Sequence, residues 1–344
     1  MNSRAPQFID FPVGSVLHAE EDSADHLSEL RHRLLSESSE IDYALSALTQ
    51  DGNALLSAES WQTLQDFRRD SNESGAVLIR NVPIPDFLIP TPANGYGPEW
   101  PISAEFDLPL LLIARTLGDL VSYEDEKAGR IVQDIAPIAG RRTEQENSGS
   151  VWLEFHTENG FHPFPPDFVC LFALRSDHDR KAVTAAASIT RALPFLSKED
   201  MATLRQPLFR THASASFTRG LDSRLVSPAH SVIAGAAEVP DLAVDFHATV
   251  AITDGAAAAL ASLRTALESV VVGSVLEAGD VLIIDNRRAV HARSGFLPRF
   301  DGNDRWLRRC SVVADIRRSR AVRENSSHLI TNLPELLKSN GGSA

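Results

Sequence analysis

The chain has 344 residues, with 33 Lys and Arg against 46 Asp and Glu, which gives a formal net charge of −13 at pH 7. This acidic excess argues against nucleic acids and anionic membrane surfaces as partners, because both are bound by a basic protein face. A hydrophobic content of 43% is ordinary for a folded protein, and no apolar run is long enough to span a bilayer.

The first third of the chain has helical patterns and one strand pattern. In chain order, the predicted elements are a helix over His26–Leu35, a helix over Trp61–Arg69, a strand over Gly75–Arg80 and a helix over Leu108–Leu117. Ser60 is predicted to cap the second helix, because its hydroxyl can accept a hydrogen bond from the first turn. Pro109 is tolerable only in the first turn of the last helix, which Gly118 ends. Pro83–Pro101 holds six prolines and two glycines and is predicted to be a loop.

Beyond Val121, short apolar runs alternate with Gly, Pro, Asn and Asp, which is typical of many short strands joined by turns. The predicted strands cover Arg130–Ile135, Val151–Phe155, Phe168–Leu174, Val183–Ile189, Leu208–Thr211, Val281–Ile284 and Leu307–Ala314. This pattern predicts a barrel or a sandwich. Ala256–Val271 is rich in alanine and is predicted to be a helix. The loop Ser214–Pro240, rich in Ser, Ala and Gly, is a candidate lid.

The sequence shows no internal repeat and no composition break that forces a domain boundary. We therefore predict one main domain over 61–330, preceded by a helical extension over 1–60 that packs on it and followed by a tail over 331–344. Cys170 and Cys310 are too few for a disulfide framework, which indicates a reducing compartment. Met1–Asp10 lacks the apolar core of a signal peptide, so we expect a cytoplasmic protein.

His156 and Glu158 form the most informative pair of the sequence. Apolar residues in Val151–Phe155 alternate with Trp152 and Glu154, which is the period of a strand. His156 and Glu158 therefore project to one side if the strand continues, and such a pair suits a first-row divalent metal. Pairs of this kind also arise by chance in a chain with 11 His and 46 acidic residues. Taken alone, such a pair is usually solvated or satisfied in the core.

His291 is the candidate third ligand, because it follows the buried-strand pattern of Gly279–Asn286. Two His and one carboxylate leave three metal positions open, as in non-haem Fe(II) oxygenases, and these positions admit a bidentate 2-oxo acid and O₂. Such enzymes need a cation for the far carboxylate of the 2-oxo acid, and the guanidinium fork of Arg305 suits that role. On composition alone, Arg305, Arg308 and Arg309 could equally form a solvated basic run.

Several ordered segments of the chain resemble the clavaminate synthase-like family of Fe(II)/2-oxoglutarate oxygenases. They are Phe155–His162, Asp285–Arg287 with His291, and Asp304–Leu307, and the resemblance extends from about Phe67 to Arg320. Within the family, the sequence is most similar to the L-asparagine oxygenases, and related members hydroxylate free arginine and free lysine.

The resemblance implies a double-stranded β-helix, or jelly roll, that is mainly β with flanking helices, in agreement with the predicted strands. It implies that His156, Glu158 and His291 bind Fe(II), with 2-oxoglutarate as cosubstrate and O₂ as oxidant. Arg305 matches the arginine that pairs with the distal carboxylate of 2-oxoglutarate, and Thr184 matches a threonine that supports the cosubstrate.

The resemblance also implies a site for a free amino acid. Arg309 matches the arginine that takes the substrate α-carboxylate, while Glu126 matches a contact to the amino-acid backbone and Glu158 can share the α-ammonium. Asn147 and Asp245 match positions near the substrate side chain, where Asn147 can donate to an amide oxygen and Asp245 can accept from an amide NH₂. The prediction is hydroxylation of L-asparagine at C3 to 3-hydroxyasparagine, with succinate and CO₂ as co-products.

Other functions stay open at this point. The main alternative is the same chemistry on free lysine or arginine at C3 or C4, although His247 stands where relatives with basic substrates tend to have a second acid. A cupin-like metal enzyme without a 2-oxo acid would not need Arg305 or Thr184, and a non-catalytic β-sandwich would make the metal ligands a coincidence. His162 is expected to cap a loop rather than bind metal. The oligomeric state does not follow from the sequence.

Overall fold

The computed structural model describes residues 8–48, 55–146, 148–218, 225–323, 327–331 and 333–339. The helices are α1 (Ser23–Glu37), α2 (Ile41–Ala47), α3 (Ala58–Asp70), α4 (Ala104–Leu117), α5 (Ile189–Ala192), α6 (Lys198–Leu204), α7 (Ala215–Thr218), α8 (Asp254–Glu268) and α9 (Leu333–Ser339). The strands are β1 (Val16–His18), β2 (Ala76–Arg80), β3 (Asp119–Tyr123), β4 (Gln133–Ile135), β5 (Leu153–His156), β6 (Phe168–Arg175), β7 (Val183–Ser188), β8 (Phe209–Thr211), β9 (Ile233–Gly235), β10 (Pro240–Leu242), β11 (Thr249–Ala251), β12 (Val272–Val275), β13 (Val281–Asp285), β14 (Ala289–Arg293), β15 (Trp306–Val313) and β16 (Leu329–Ile330).

The larger sheet has the strand order β1-β2-β13-β6-β15-β3-β16, and β4 also pairs with β15. Most pairs are antiparallel, whereas β1 pairs parallel with β2 and β16 with β3. α4 lies against this sheet, where Leu110 and Leu112 share a hydrophobic core with Phe172 and Val312. β15 is buried along its whole length, so Arg308, Arg309 and Ser311 lie in the interior together with its apolar residues.

The smaller sheet has the antiparallel order β12-β7-β14-β5 and faces the larger one. Leu171 and Leu282 of the larger sheet share a core with Ala186 and Ala289 of the smaller sheet. Small side chains on the smaller sheet let the two layers approach closely. Two mainly antiparallel sheets packed face to face confirm the predicted jelly-roll fold.

The N-terminal region shares both the core and the sheet of the main domain. Leu27, Leu30 and Leu34 of α1 pack in the same cluster as the leucines of α4, and β1 extends the larger sheet. The proposed boundaries at residues 60 and 330 stay predictions. Among the described residues, no helix has the length and apolarity needed to cross a membrane.

Most predicted elements are confirmed with small shifts of their ends, but the predicted helix cap at Ser60 is wrong. α3 begins at Ala58, and the hydroxyl of Ser57 accepts a hydrogen bond from the backbone N–H of Ser60 at 3.2 Å. Ser60 therefore lies inside the first turn as a donor. Two serines three residues apart offer two possible caps, and the helix begins at the earlier one.

α4 also begins earlier than predicted, at Ala104, so Pro109 lies in its second turn rather than its first. Contacts with β15 stabilise the additional N-terminal turn of the helix. Phe106 packs edge-on against Trp306, with ring centroids 5.5 Å apart, and Asp107 is paired with the buried Arg308. Tertiary contacts of this kind outweigh the local cost of a proline.

The predicted loop Ser214–Pro240 contains α7 and the short strand β9. Residues 219–224 lie outside the described part of the chain. The proposed lid function therefore stays a prediction.

His162 lies in an aromatic cluster beneath α7, with its ring centroid 4.8 Å from that of Tyr123 and 6.3 Å from that of Phe217. Its Nδ1 accepts a hydrogen bond from the backbone N–H of Phe164 at 2.9 Å, as expected for a loop cap. Burial lowers the pKa of His162 to about 3. The ring is therefore neutral in the folded protein at any pH near neutrality.

Lowering the pH from 7 to 5 is expected to cost about 2 kcal/mol of unfolding free energy through His162. Its pKa is lower in the folded state than in the unfolded chain. Its contribution is thus fully present above about pH 6.5 and is lost as the pH falls toward 3. His162→Gln keeps a hydrogen-bond acceptor without this titration. Urea denaturation at both pH values should show a smaller pH effect in this variant, and an equal effect would contradict the prediction.

Candidate active site

The predicted metal ligands His156 and His291 lie opposite each other on neighbouring strands. β5 and β14 pair antiparallel, and the two histidines are register partners with ring centroids 4.1 Å apart. Glu158 completes the cluster, because one possible ligand atom from each of the three residues lies within 4.8 Å of the others. The structure thus brings together the three side chains that the sequence analysis selected.

Glu158 reaches this cluster for a different reason than predicted. Strand alternation requires β5 to continue, but β5 ends at His156. Instead, the side chain of Asn286 holds the backbone of Glu158. Its Oδ1 accepts from the Glu158 N–H at 2.6 Å, and its Nδ2 donates to the carbonyls of Glu158 at 3.0 Å and Pro166 at 2.9 Å. Asn286 has no role predicted from the sequence, although it is a polar residue at the end of a buried strand pattern.

Asn286→Ala is expected to weaken Fe(II) binding about 10- to 100-fold, the range seen when groups that orient a metal ligand are removed. The substitution frees the backbone of Glu158 and leaves its carboxylate without a fixed direction. Equilibrium dialysis under nitrogen would measure the affinity. Asn303→Ala, at an exposed loop position, is the matched control. An Asn286→Ala protein with the affinity of the control would contradict a role in positioning Glu158.

The protonation of the two histidines suits metal binding. Nδ1 of His156 is 2.8 Å from the carbonyl oxygen of Glu154, and since a carbonyl can only accept, Nδ1 carries the proton and Nε2 is free to bind. Nε2 of His291 lies 3.6 Å from Oε2 of Glu158. Burial, followed by the neighbouring His156, lowers the pKa of His291 to about 4. The His291 ring is therefore neutral at pH 7.

Arg309 connects Glu158 to a second buried carboxylate. Its Nη1 lies 2.8 Å from Oε1 of Glu158, and its Nη2 donates to both Glu126 and Gln133. Burial alone would raise the pKa of Glu158, but the charge of Arg309 and the contact with His291 lower it well below its usual value. Gln133 is a further contact that the sequence analysis did not select. Three acceptors thus fix the guanidinium beside the predicted metal ligands.

A cavity of about 420 Å³ opens onto this arrangement. Glu126 and Glu158 line it together with His156, so the predicted metal ligands and the predicted backbone contact share one space. Arg309, His291, Arg305 and Thr184 are not among the lining residues. Further lining residues include Glu124, Asp125, Lys127, Phe161, Phe217, Asp245 and His247.

Asp245 is placed beside His156 by the backbone. The two residues form an antiparallel β-bridge, and Thr157 fixes the register because its hydroxyl accepts from the N–H of Val244 at 3.1 Å. Oδ1 of Asp245 accepts from the backbone N–H of His247 at 2.8 Å, whereas Oδ2 makes no hydrogen bond within the described residues. Asn147, the other predicted side-chain contact, lies outside the described residues.

Arg305 and Thr184 meet in the interior, where Nη2 of Arg305 donates to the hydroxyl of Thr184 at 3.0 Å. Burial lowers the pKa of Arg305 to about 10, and burial with the charge of Arg305 lowers that of Arg293 to about 9. Among the described residues, neither arginine forms an ion pair with a carboxylate. Arg293 was not selected from the sequence, although it follows His291 at the two-residue spacing of a strand face.

Fe(II) fits the donor set of His156, Glu158 and His291. Two imidazole nitrogens and one carboxylate form the facial triad of non-haem iron oxygenases, which leaves positions for a bidentate 2-oxo acid and O₂. Within the described residues, Nε2 of His156 has no hydrogen-bond partner and Nε2 of His291 lies toward the Glu158 carboxylate, which agrees with this use.

Residues 42–311 match the family described as taurine catabolism dioxygenase TauD, TfdA family. The chain belongs to this family. Among individual TauD/TfdA relatives, the chain is 40% identical to the L-asparagine oxygenase of Streptomyces coelicolor over 277 residues, 79% of this chain and 81% of the relative. It is 34% identical to the L-lysine 3-hydroxylase of Catenulispora acidiphila over 275 residues, 78% of this chain and 75% of the relative.

A solved asparagine oxygenase in complex with Fe(II), (2S,3S)-3-hydroxyasparagine and succinate has a TM-score of 0.84 and 36% identity to this chain. The match covers 92% of this chain and 99% of that chain. The predicted class, an Fe(II)- and 2-oxoglutarate-dependent dioxygenase that resembles clavaminate synthase-like oxygenases, is thereby confirmed. The alternatives of a cupin-like metal enzyme and a non-catalytic sandwich do not fit this family.

Proposed function

We propose that this dioxygenase hydroxylates a free L-amino acid at C3, that L-asparagine is its substrate, and that succinate and CO₂ are the co-products. The observation that carries the proposal is the buried link from Glu126 through Arg309 to Glu158, which joins the cavity wall to the predicted metal ligands. A free amino acid is a zwitterion, so its α-carboxylate can pair with Arg309 and its α-ammonium with the two glutamates.

In this proposal, His156, Glu158 and His291 hold Fe(II), which with 2-oxoglutarate and O₂ supplies the oxidising power for C–H hydroxylation. The protein's own contribution is to position the substrate. Arg305, with the hydroxyl of Thr184, takes the distal carboxylate of 2-oxoglutarate, because it is a buried guanidinium without a carboxylate partner in the described residues.

The amino-acid backbone would be held by the paired charges around Arg309. Its guanidinium receives the α-carboxylate, while Glu126 and the outer oxygen of Glu158 receive the α-ammonium. Both glutamates are less than 10% exposed, so a substrate bound beside them loses its hydration. Each charge of the substrate then needs an opposite charge as its partner, and this arrangement supplies one for each. Because Glu158 is also a predicted metal ligand, this places C3 rather than the end of the side chain closest to the metal.

Asp245 supports an amide side chain. Its Oδ2 is an acceptor without an internal hydrogen bond in the described residues, and its backbone lies beside His156. An amide NH₂ can donate to this oxygen, and Asn147 is proposed to donate to the amide carbonyl. The similarity to enzymes named as asparagine oxygenases supports the same substrate.

A basic substrate, lysine or arginine, is the second candidate, because acids predominate around the cavity. Seven Asp and Glu residues line it against one Lys and one Arg. Several of these acids are already engaged. Glu126 and Glu158 bind Arg309, and Glu154 lies 2.5 Å from Arg264. Fewer acidic side chains are therefore available to a cationic substrate side chain than the number of acids around the cavity indicates.

Incubation with Fe(II), ascorbate, 2-oxoglutarate and air against the twenty L-amino acids tests the proposal. Mass spectrometry should show succinate and a gain of one oxygen on asparagine, and NMR of the product should place the hydroxyl at C3. Oxidation of lysine or arginine alone would replace the substrate, and hydroxylation at another carbon would overturn the proposed position. Asp245→Asn should lower turnover of asparagine less than that of a cationic substrate.

The cellular setting belongs to the same proposal. Cys170 and Cys310 are free and buried, which supports a reducing cytoplasmic compartment. The net charge of −13 supports a small molecule rather than a nucleic acid or a membrane as the partner.

A further inference from the structure

Arg293 lies on the same side of β14 as the predicted metal ligand His291, because residues two apart on a strand face the same way. β14 pairs with β7 in regular register, in which Arg293 stands opposite Thr184 and His291 opposite Ala186. Side chains that stand opposite each other across two strands lie about 5 Å apart at their Cβ atoms. Since the Thr184 hydroxyl also contacts Arg305, the three polar side chains meet at one place.

The hydrogen bonding of Arg293 is incomplete. The residue is 4% exposed, as is Arg305. Nη2 of Arg293 donates to the carbonyl of Val151 at 2.8 Å, but its Nε has no hydrogen-bond partner in the described residues. The ring of Phe296 lies 5.1 Å from its guanidinium carbon. The Val151 carbonyl and the Phe296 ring thus contact the Arg293 guanidinium, but neither carries a negative charge.

Strand β15 of the larger sheet shows how this protein pairs other buried arginines. Arg308 pairs with Asp107 and Asp134, and Arg309 pairs with Glu126 and Glu158. Arg293 and Arg305, in contrast, are neighbouring like charges, and neither forms an ion pair within the described residues. The charge of Asp177 acts on Arg305, but its carboxylate already accepts from the backbone N–H groups of Lys181 and Ala182. Buried unpaired charges are strongly unfavourable, so the pair indicates a site for an anion from outside the chain.

We propose that Arg293 is a second cation for the distal carboxylate of 2-oxoglutarate, acting with Arg305, and that this pair makes the enzyme select 2-oxo diacids over 2-oxo monoacids. The inference rests on the proposed roles of the metal ligands and of Arg305. Arg293 lies about 6.6 Å beyond His291 along the strand, which a five-carbon diacid bound at the metal can span.

Anaerobic calorimetric titration of the Fe(II)-loaded protein with 2-oxoglutarate and with 2-oxovalerate, which lacks the distal carboxylate, tests the inference without turnover. Arg293→Gln keeps a donor for the Val151 carbonyl but removes the charge. It should bind 2-oxoglutarate about 10- to 100-fold more weakly, with less than a twofold change for 2-oxovalerate. Arg293→Lys should regain part of the preference. Arg180→Met, at an exposed arginine, should match the unmodified protein for both acids.

Equal weakening of both acids by Arg293→Gln would show that Arg293 only supports the irregular pairing of β14 with β5, and would overturn the proposal. Unchanged binding of 2-oxoglutarate would overturn it as well. Binding of neither acid by the unmodified protein would reject the proposed cosubstrate site itself. A different hydroxylated amino acid, in contrast, would change the proposed substrate and leave the role of Arg293 intact.

Discussion

Arg309→Met is expected to lower kcat/KM for the amino acid by at least about 30-fold, because removing one member of a buried ion-pair network typically costs about 2–5 kcal/mol. Arg309 is 3% exposed and binds Glu158, Glu126 and Gln133 at once. The variant loses the proposed partner of the substrate α-carboxylate. It also leaves two buried glutamates facing each other without a counter-ion.

The loss should appear in both substrate and metal binding. Without Arg309, the pKa of Glu158 is no longer held well below its usual value by that charge, and protons compete better with the metal. We therefore expect Fe(II) binding by the variant to weaken as the pH is lowered from 7 to 6, more than in the unmodified protein. Binding of 2-oxoglutarate, which the proposal assigns to Arg305, should change less than binding of the amino acid.

Steady-state kinetics with each substrate varied in turn, together with Fe(II) titrations, would separate these effects. Arg309→Lys keeps the charge but cannot span the same acceptors, so it should recover metal binding better than turnover. Arg180→Met removes an exposed arginine paired with Glu277 and should leave the kinetics unchanged. An Arg309→Met enzyme with a normal KM for the amino acid would contradict the proposed role of Arg309.

The strands and the pair of His156 and Glu158 could be selected from the sequence because both selections depend on local patterns. Short apolar runs separated by turn residues predict the strands, and the two-residue spacing selects His156 with Glu158. The reason for their proximity is not local. β5 ends at His156, and Asn286, more than a hundred residues away, fixes Glu158. His291 lies beside them because of the register between β14 and β5. The period of a strand does not predict register, so the selection of His291 depends on the family resemblance.

The three arginines of the basic run show the limit of composition more clearly. In the sequence they could form a solvated surface, yet Arg305, Arg308 and Arg309 are all buried. Their partners come from distant segments: Thr184 for Arg305, Asp107 and Asp134 for Arg308, and Glu126 for Arg309. Consecutive residues on β15 face opposite sides, so Arg308 reaches Asp107 of α4 whereas Arg309 reaches Glu126 and Glu158, which line the cavity. Only the assembled sheets show which carboxylates each of these charges meets.

Arg308→Met is expected to lower the free energy of unfolding by about 3–5 kcal/mol, the usual cost of breaking a buried ion pair. Arg308 is 1% exposed and holds Asp107 with two hydrogen bonds, from Nε at 2.7 Å and from Nη2 at 2.8 Å. Its Nη1 binds Asp134, which also accepts from the indole N–H of Trp306 at 2.8 Å. Through these contacts, one guanidinium joins α4, β4 and β15.

The cost arises mainly from what the substitution leaves behind. Methionine fills much of the arginine volume, so packing changes little, but two buried carboxylates lose their counter-ion. Guanidinium denaturation at pH 7 measures the loss, and Arg180→Met, which breaks an exposed pair, should change stability by less than about 1 kcal/mol. Adding Asp107→Leu to Arg308→Met removes one unpaired charge and should recover part of the stability. An Arg308→Met protein no less stable than the Arg180→Met control would show that this network is not what holds α4 to the sheet.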